Sequence, residues 1–254
     1  MTRSAADRNL VRPKKMADMV ADRIRRMIAR GEIADGEWLP TEPELMERFG
    51  VSRPTLREAF RLLEADSLVT IRRGPPGGAR VTVPGPEAAA AQFGLLLTLS
   101  TTTLRDVYEA RMIIEPAAAG ALARRGTAAA RKALTEELER TRATVETADF
   151  GEQSVRFHRR VVELAGNQTL ATVIGMLSEI VSRQLARAYD ETHDTTDDTL
   201  ARNRRALRSY QRLVELVEAR DGDEAEAFWL KHMRAARTHL FRGEDDAQVV
   251  DLLY

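Results

Sequence analysis

Arg53 and Arg57 stand four residues apart in the run Gly50-Val-Ser-Arg-Pro-Thr-Leu-Arg-Glu-Ala-Phe. On a helix that spacing places both side chains on one face. A guanidinium so placed can give two parallel hydrogen bonds to O6 and N7 of a guanine, a contact of about 1–3 kcal/mol. Leu56, Ala59, Phe60 and Leu63 fall on the other side, where they can pack on a small core. The hydroxyls of Ser52 and Thr55, with the free amides of a helix start, suit phosphate oxygens. The chemistry written into this stretch is the reading of double-stranded DNA.

The surrounding elements must hold that face outward. Residues 41–61 read as two short helices with a tight turn at Gly50. Before them, Met16, Met19, Val20, Ile24, Met27 and Ile28 recur at helical spacing, with Arg23, Arg25, Arg26 and Arg30 outside and Gly31 as the stop. After them, two β-rich runs, 68–71 and 79–83, flank a Gly/Pro turn and predict a hairpin. Arg72, Arg73 and Gly74 at its tip suit the minor groove or the phosphate backbone. Three helices and a basic hairpin make a winged helix-turn-helix.

Pro84-Gly-Pro86 is a break, and no strand-like stretch follows. Amphipathic segments run instead over about 87–99, 103–125, 127–147, 150–166, 168–190, 197–220 and 222–242. Thr103, Thr127 and Asp197 have the form of helix starts. Such short connections predict an all-α antiparallel bundle. The fold class is therefore mainly α, an N-terminal winged helix-turn-helix with a small wing and a C-terminal helical bundle. The expected divisions are a disordered tail at 1–12, a DNA-binding domain at 13–84, an effector-binding and dimerisation domain at 85–243 and a tail at 244–254.

Composition narrows the function. Residues 1–84 carry 16 Lys and Arg against 12 Asp and Glu, whereas residues 85–254 carry 23 against 27. A basic front and an acidic rear fit DNA contact in front and another task behind. There is no cysteine, which excludes disulfides and thiolate sites and is compatible with a reducing cytosol. No run approaches the ~20 apolar residues of a membrane span, and no export signal leads the chain. Arginine outnumbers lysine 35 to 4, the bias of a GC-rich bacterial genome. A cytoplasmic protein with no membrane partner is expected.

The motif Trp38-Leu-Pro-Thr-Glu-x-Glu-Leu, followed by the Gly50–Ala59 run, Leu63-Glu, Leu68-Val and Arg73-Gly, resembles the N-terminal domain of GntR-family transcription regulators. The resemblance implies operator contacts from Arg53, Arg57 and the wing tip at Arg73-Gly74, and it brings Thr41 and Glu42 into the DNA-binding set. The departure is Pro43, where many members carry a DNA-contacting arginine. Proline cannot replace that contact, so the operator read by this chain should differ at the corresponding base.

The rear half resembles the FadR-like branch, with an FCD-type ligand-binding domain. Val107-Tyr-Glu-Ala-Arg-Met-Ile-Ile-Glu115, Phe157-His158, Ala165-Gly-Asn167 and the run from Ala219-Arg-Asp221 to His232 carry that resemblance. Typical members hold a divalent metal with one aspartate and three histidines. By that correspondence His158 and His232 remain, while Ser154 and Tyr210 replace the other two ligands. No metal cofactor is expected, with His158 and His232 as weak candidates unless another donor completes the set. The same correspondence makes Arg111, Ser154, His158, Tyr210 and His232 the lining of an effector pocket, with Arg183 as a further contributor. Such a pocket suits an anionic carboxylate or acyl compound. The competing reading is a satisfied polar core in which Arg111 pairs with Glu115. His193, in a polar and acidic segment, is read as solvated.

The expected function is a homodimeric, ligand-responsive transcription regulator, most simply a repressor. The alternative is a constitutive DNA-binding protein whose helical domain only dimerises. An enzyme is not expected: His-Glu-x-x-His, Gly-x-Ser-x-Gly and a phosphate-binding glycine loop are all missing from the sequence.

Overall fold

The computed structural model describes residues 15–72, 74, 77–192, 197–240 and 250, with side chains omitted for 184–192 and 238–240. Contacts divide the chain into two units that meet at Pro84 and Gly85.

The first unit contains α1 (Met16–Ala29), α2 (Glu42–Phe49), α3 (Arg53–Ala65) and a hairpin of β1 (Val69–Arg72) and β2 (Gly78–Val81). Helix α1 turns Val20, Ala21, Ile24, Met27 and Ile28 inward. Helix α3 meets them with Leu56, Ala59, Phe60 and Leu63, and the hairpin closes the core with Val69, Ala79 and Val81. The strands pair antiparallel in the register Val69 with Val81 and Arg72 with Gly78. The named strands begin at Val69 rather than Leu68 and end at Val81 rather than Val83, and one further bond in the same register, Thr82 N–H to the Leu68 carbonyl (3.0 Å), lies beyond them.

Two local devices fix the turn between α2 and α3. At the start of α2, the Glu44 carboxylate accepts from the Thr41 N–H (2.8 Å) and the Thr41 hydroxyl (2.9 Å). Those bonds, backbone first, hold the Glu44 pKa below its ordinary value. At its end Gly50 adopts a left-handed backbone, φ 62°. A Cβ at Gly50 would meet nothing within 4 Å, so the cost of a side chain there is conformational alone. Gly50→Ala should therefore lower the stability of this unit by about 1 kcal/mol, while Gly50→Asn should cost less. A urea midpoint for each variant checks it; equal losses would contradict the backbone explanation.

The second unit is a bundle of α4 (Pro86–Leu99), α5 (Leu104–Arg125), α6 (Ala128–Ala143), α7 (Phe150–Leu164), α8 (Gln168–Thr192), α9 (Asp197–Glu218) and α10 (Gly222–Leu240). Helix α5 is the shared element: it packs on α7, α8, α9 and α10. One apolar cluster, with Leu122, Leu134, Phe157, Leu213 and Trp229, draws on α5, α6, α7, α9 and α10. A second, with Leu104, Val107, Ile174 and Ile180, lies among α4, α5, α7 and α8. Thr103 caps α5, exchanging hydrogen bonds with Asp106, and Thr127 caps α6 through the Ala130 N–H. Val250, in the segment expected to be a tail, is buried in the second cluster. Its N–H bonds to the Thr102 carbonyl (2.9 Å) and its carbonyl accepts from Thr98 Oγ1 (2.8 Å). The predicted tail at 1–12 lies outside the described residues.

Candidate functional site

The arginine face of α3 stands free of the core. Arg53 and Arg57 keep 59% and 66% of their side-chain exposure, the condition for reaching into a groove. One carboxylate holds both: Glu42, the first residue of α2, places one oxygen 3.2 Å from Arg53 Nε and the other 3.4 Å from Arg57 Nε. The contacts use Nε, which leaves the terminal nitrogens of each guanidinium to face a base edge. The Ser52 and Thr55 hydroxyls lie 2.9 Å apart at the start of the same helix. Thr41 is exposed, with its N–H and hydroxyl occupied by Glu44. Arg72 ends β1 and Gly74 follows, both exposed; Arg73 lies outside the described residues.

Glu42 thus sits among the predicted DNA residues as a positioning group for the two arginines. Glu42→Gln should loosen that hold and remove a negative charge facing the phosphates. Affinity for random-sequence duplex should rise by up to about fivefold while the preference for operator shrinks. Fluorescence anisotropy on operator and scrambled duplexes at matched salt measures both; an unchanged ratio would dismiss the positioning role.

The second cluster lies inside the helical unit. Arg111 and Glu115, one turn apart on α5, pair at 2.7 Å with 2% and 0% side-chain exposure. The other Glu115 oxygen lies 2.6 Å from His158 Nδ1 and accepts from Trp229 Nε1 at 3.2 Å. Burial alone would raise the Glu115 pKa, but Arg111 and then His158 outweigh it and bring it down to about 2. An ionised carboxylate only accepts, so His158 Nδ1 carries the proton and Nε2 presents a lone pair. Tyr210 Oη lies 3.3 Å from that Nε2 and 2.6 Å from Ser154 Oγ, and His232 Nε2 lies 3.5 Å from it. Ser154 and His158 share a face because they are four residues apart on α7.

Burial keeps the remaining groups neutral. It lowers the His158 pKa against the pull of Glu115, and with His158 it pushes His232 down to about 3. It raises the Tyr210 phenol despite the Ser154 hydrogen bond. These side chains border a cavity of about 300 Å³ whose remaining wall is largely apolar, with Phe150, Val155, Ala206, Phe228 and Met233. Arg111, Ser154, His158, Tyr210 and His232 all reach it. Arg183 does not: it is exposed on α8 and pairs with Glu179 one turn away at 3.0 Å. The inward residues of that helix are Ile174, Leu177, Ile180 and Val181, which leaves Arg183 on the solvent side. His193 lies outside the described residues.

The family model "Bacterial regulatory proteins, gntR family" matches residues 16–81, and the FCD domain model matches residues 106–235. The chain belongs to the GntR family. HTH-type transcriptional repressor NanR of Salmonella enteritidis is 30% identical to this GntR regulator over 246 residues, covering 94% of this chain and 86% of the relative. HTH-type transcriptional regulator YcbG of Bacillus subtilis is 29% identical, covering 93% of this chain and 94% of the relative. The solved structure of Streptococcus agalactiae GntR shares the fold, with a TM-score of 0.66 at 20% identity over 87% of this chain and 98% of that one. GntR regulators bind DNA and FCD domains bind small-molecule effectors, so this chain is a DNA-binding transcription regulator and not an enzyme. Among the described residues no helix is long and apolar enough to cross a membrane.

The FCD family implies a divalent metal, and the donors of this chain do not fit one. Two neutral imidazoles face the cavity with a serine hydroxyl and a protonated phenol that are bonded to each other. Hard and borderline divalent ions need carboxylate, imidazole or thiolate donors in larger number. Among the described residues no group of three or more such side chains comes together. Sequence reasoning missed Trp229 as the second donor to Glu115, 114 positions away. It also missed Arg202, Arg205 and Lys231, which border the cavity from α9 and α10. An indole at an apolar helix position carries no mark of a polar partner, and a charge on an amphipathic helix reads as a solvated face.

Proposed function

We propose that this GntR regulator is a ligand-responsive repressor, acting as a cytoplasmic homodimer on a two-fold symmetric operator. Its effector is a small carboxylate or acyl metabolite held in the cavity without a metal. The observation that carries this reading is the cavity itself, bordered by a cluster of neutral polar groups and by apolar walls. A bundle that served only to dimerise would fill that space with side chains. The repressor name of the NanR relatives supports the direction of control. In a dimer two recognition helices enter successive major grooves about one helical turn apart, and an effector that binds one arrangement of the heads better shifts the population toward it.

The experiment is a thermal-shift screen of small carboxylates on the intact chain, followed by operator titration with each acid that raises Tm. A stabilising acid that weakens operator binding supports the reading. If no acid raises Tm and operator affinity is indifferent to all of them, the constitutive alternative takes its place.

A further inference from the structure

The outward face of α3 opens with one exposed residue whose side chain can make no hydrogen bond. Arg53, Pro54 and Arg57 are all exposed there, while Leu56, Ala59, Phe60 and Leu63 turn to the core. Ser52 is the N-cap and Arg53 the first helical residue, so Pro54 is the second. The helix accepts a ring at that place, because the N–H it lacks belongs to the first turn, whose amides have no intrahelical partner. Two residues on, the Leu56 N–H bonds the Ser52 carbonyl (3.0 Å). The same ring removes one of the helix-start amides that could otherwise bond a phosphate. What the Pro54 side chain offers DNA is apolar carbon alone, rigid and with no rotamers to freeze.

Base edges answer that surface unequally. The ring nitrogens, carbonyl oxygens and amino groups of the major groove are polar, and a ring laid over one of them displaces water without replacing its hydrogen bond. The thymine 5-methyl is the apolar feature of the groove. Arg57 follows Pro54 by three residues, so the two side chains rise from one helix face about 5–6 Å apart. Bases along a strand are spaced about 3.4 Å apart, so that separation spans one to two base pairs.

We propose that Pro54 is a specificity-determining residue whose ring packs on the 5-methyl of a thymine one or two base pairs from the guanine read by Arg57. The arginines select guanine by hydrogen bonds, and the proline adds a thymine by apolar contact. The half-site therefore joins a guanine to a nearby T·A pair that Arg53 and Arg57 alone would leave undetermined. This inference rests on the reading of α3 as the helix that contacts base edges.

The test removes the methyl and nothing else from the DNA. The operator is selected from a random duplex pool by the intact chain, and deoxyuridine then replaces each thymidine of one half-site in turn. At one position, one or two base pairs from a selected guanine, anisotropy titration should show binding weakened about threefold to fivefold, the effect of one buried methyl. Pro54→Ser, a residue that the first turn of a helix tolerates, should bind the thymidine and deoxyuridine duplexes equally. Pro54→Ala, with a smaller apolar surface, should keep part of the preference. Each comparison sets two duplexes against the same protein, so a change in the stability of a variant does not imitate the result. A parent indifferent to every replacement, or a Pro54→Ser protein that keeps the full preference, overturns the assignment while leaving the arginine readout standing. A half-site with no thymine within two base pairs of a guanine overturns it as well. A pool returned unchanged overturns the base readout by α3 and this contact with it.

Discussion

Glu115→Gln should lower the unfolding free energy by about 3–5 kcal/mol, the loss that follows when one partner of a buried ion pair is removed. The amide keeps the shape of the carboxylate, so packing is spared and the change is electrostatic. It strips Arg111, 2% exposed, of its paired negative charge and leaves one acceptor oxygen where two had served Arg111, His158 Nδ1 and Trp229 Nε1. The apolar double replacement Arg111→Met, Glu115→Leu should recover most of the loss, because neither charge is then stranded. Urea unfolding of the three proteins checks both statements. A loss below about 1 kcal/mol for Glu115→Gln would mean the pair is not desolvated as described.

The same network sets the direction of acid sensitivity. Glu115 titrates near 2 in the fold against an ordinary 4.5, so its contribution is present above about 4.5 and lost as pH falls toward 2. His232 titrates near 3 against an ordinary 6.5. Between those values the unfolded chain binds a proton that the folded chain does not, so acidification below about 6.5 already favours unfolding. Stability should therefore fall from near pH 6.5 downward, with the Glu115 loss added below about 4.5. A profile that is flat from 7 to 5 would contradict the neutral, buried state of His232.

The double variant Arg53→Ala, Arg57→Ala should lose operator binding by at least about thirtyfold, from about 1–3 kcal/mol for each of two base contacts. Both side chains are mostly exposed and neither belongs to the apolar core, so Tm should stay within a degree or two of the parent. Non-specific binding should weaken far less, because phosphate contacts from the helix start and the wing remain. Filter binding on operator and scrambled duplex separates the two effects. Equal losses on both duplexes would mean the arginines serve only as phosphate contacts.

Much of this was legible in the chain. Gly50, Ser52 and Pro54 punctuate two helices by rules of backbone geometry, and Leu56, Ala59, Phe60 and Leu63 announce the buried face. The i, i+4 pairs Arg53 and Arg57, Arg111 and Glu115, and Ser154 and His158 share faces because helical spacing is local. Contacts between distant helices were not legible. Glu42 meets the arginines of the next helix only once the turn at Gly50 sets their angle, and Trp229 meets Glu115 only when α10 packs on α5. Arg183 shows the converse: a cation near the right place in the sequence lies on the wrong side of α8, whose apolar stripe decides its orientation. Arg111 is paired with Glu115, as the competing reading expected, and it also borders the cavity.

The most direct measurement is selection of duplexes from a random DNA pool by the intact chain and by the Arg53→Ala, Arg57→Ala variant side by side. The parent should enrich a two-fold symmetric site with half-sites about one helical turn apart, and the variant should enrich nothing. A parent that returns the pool unchanged, or a variant that returns the same site, would contradict it.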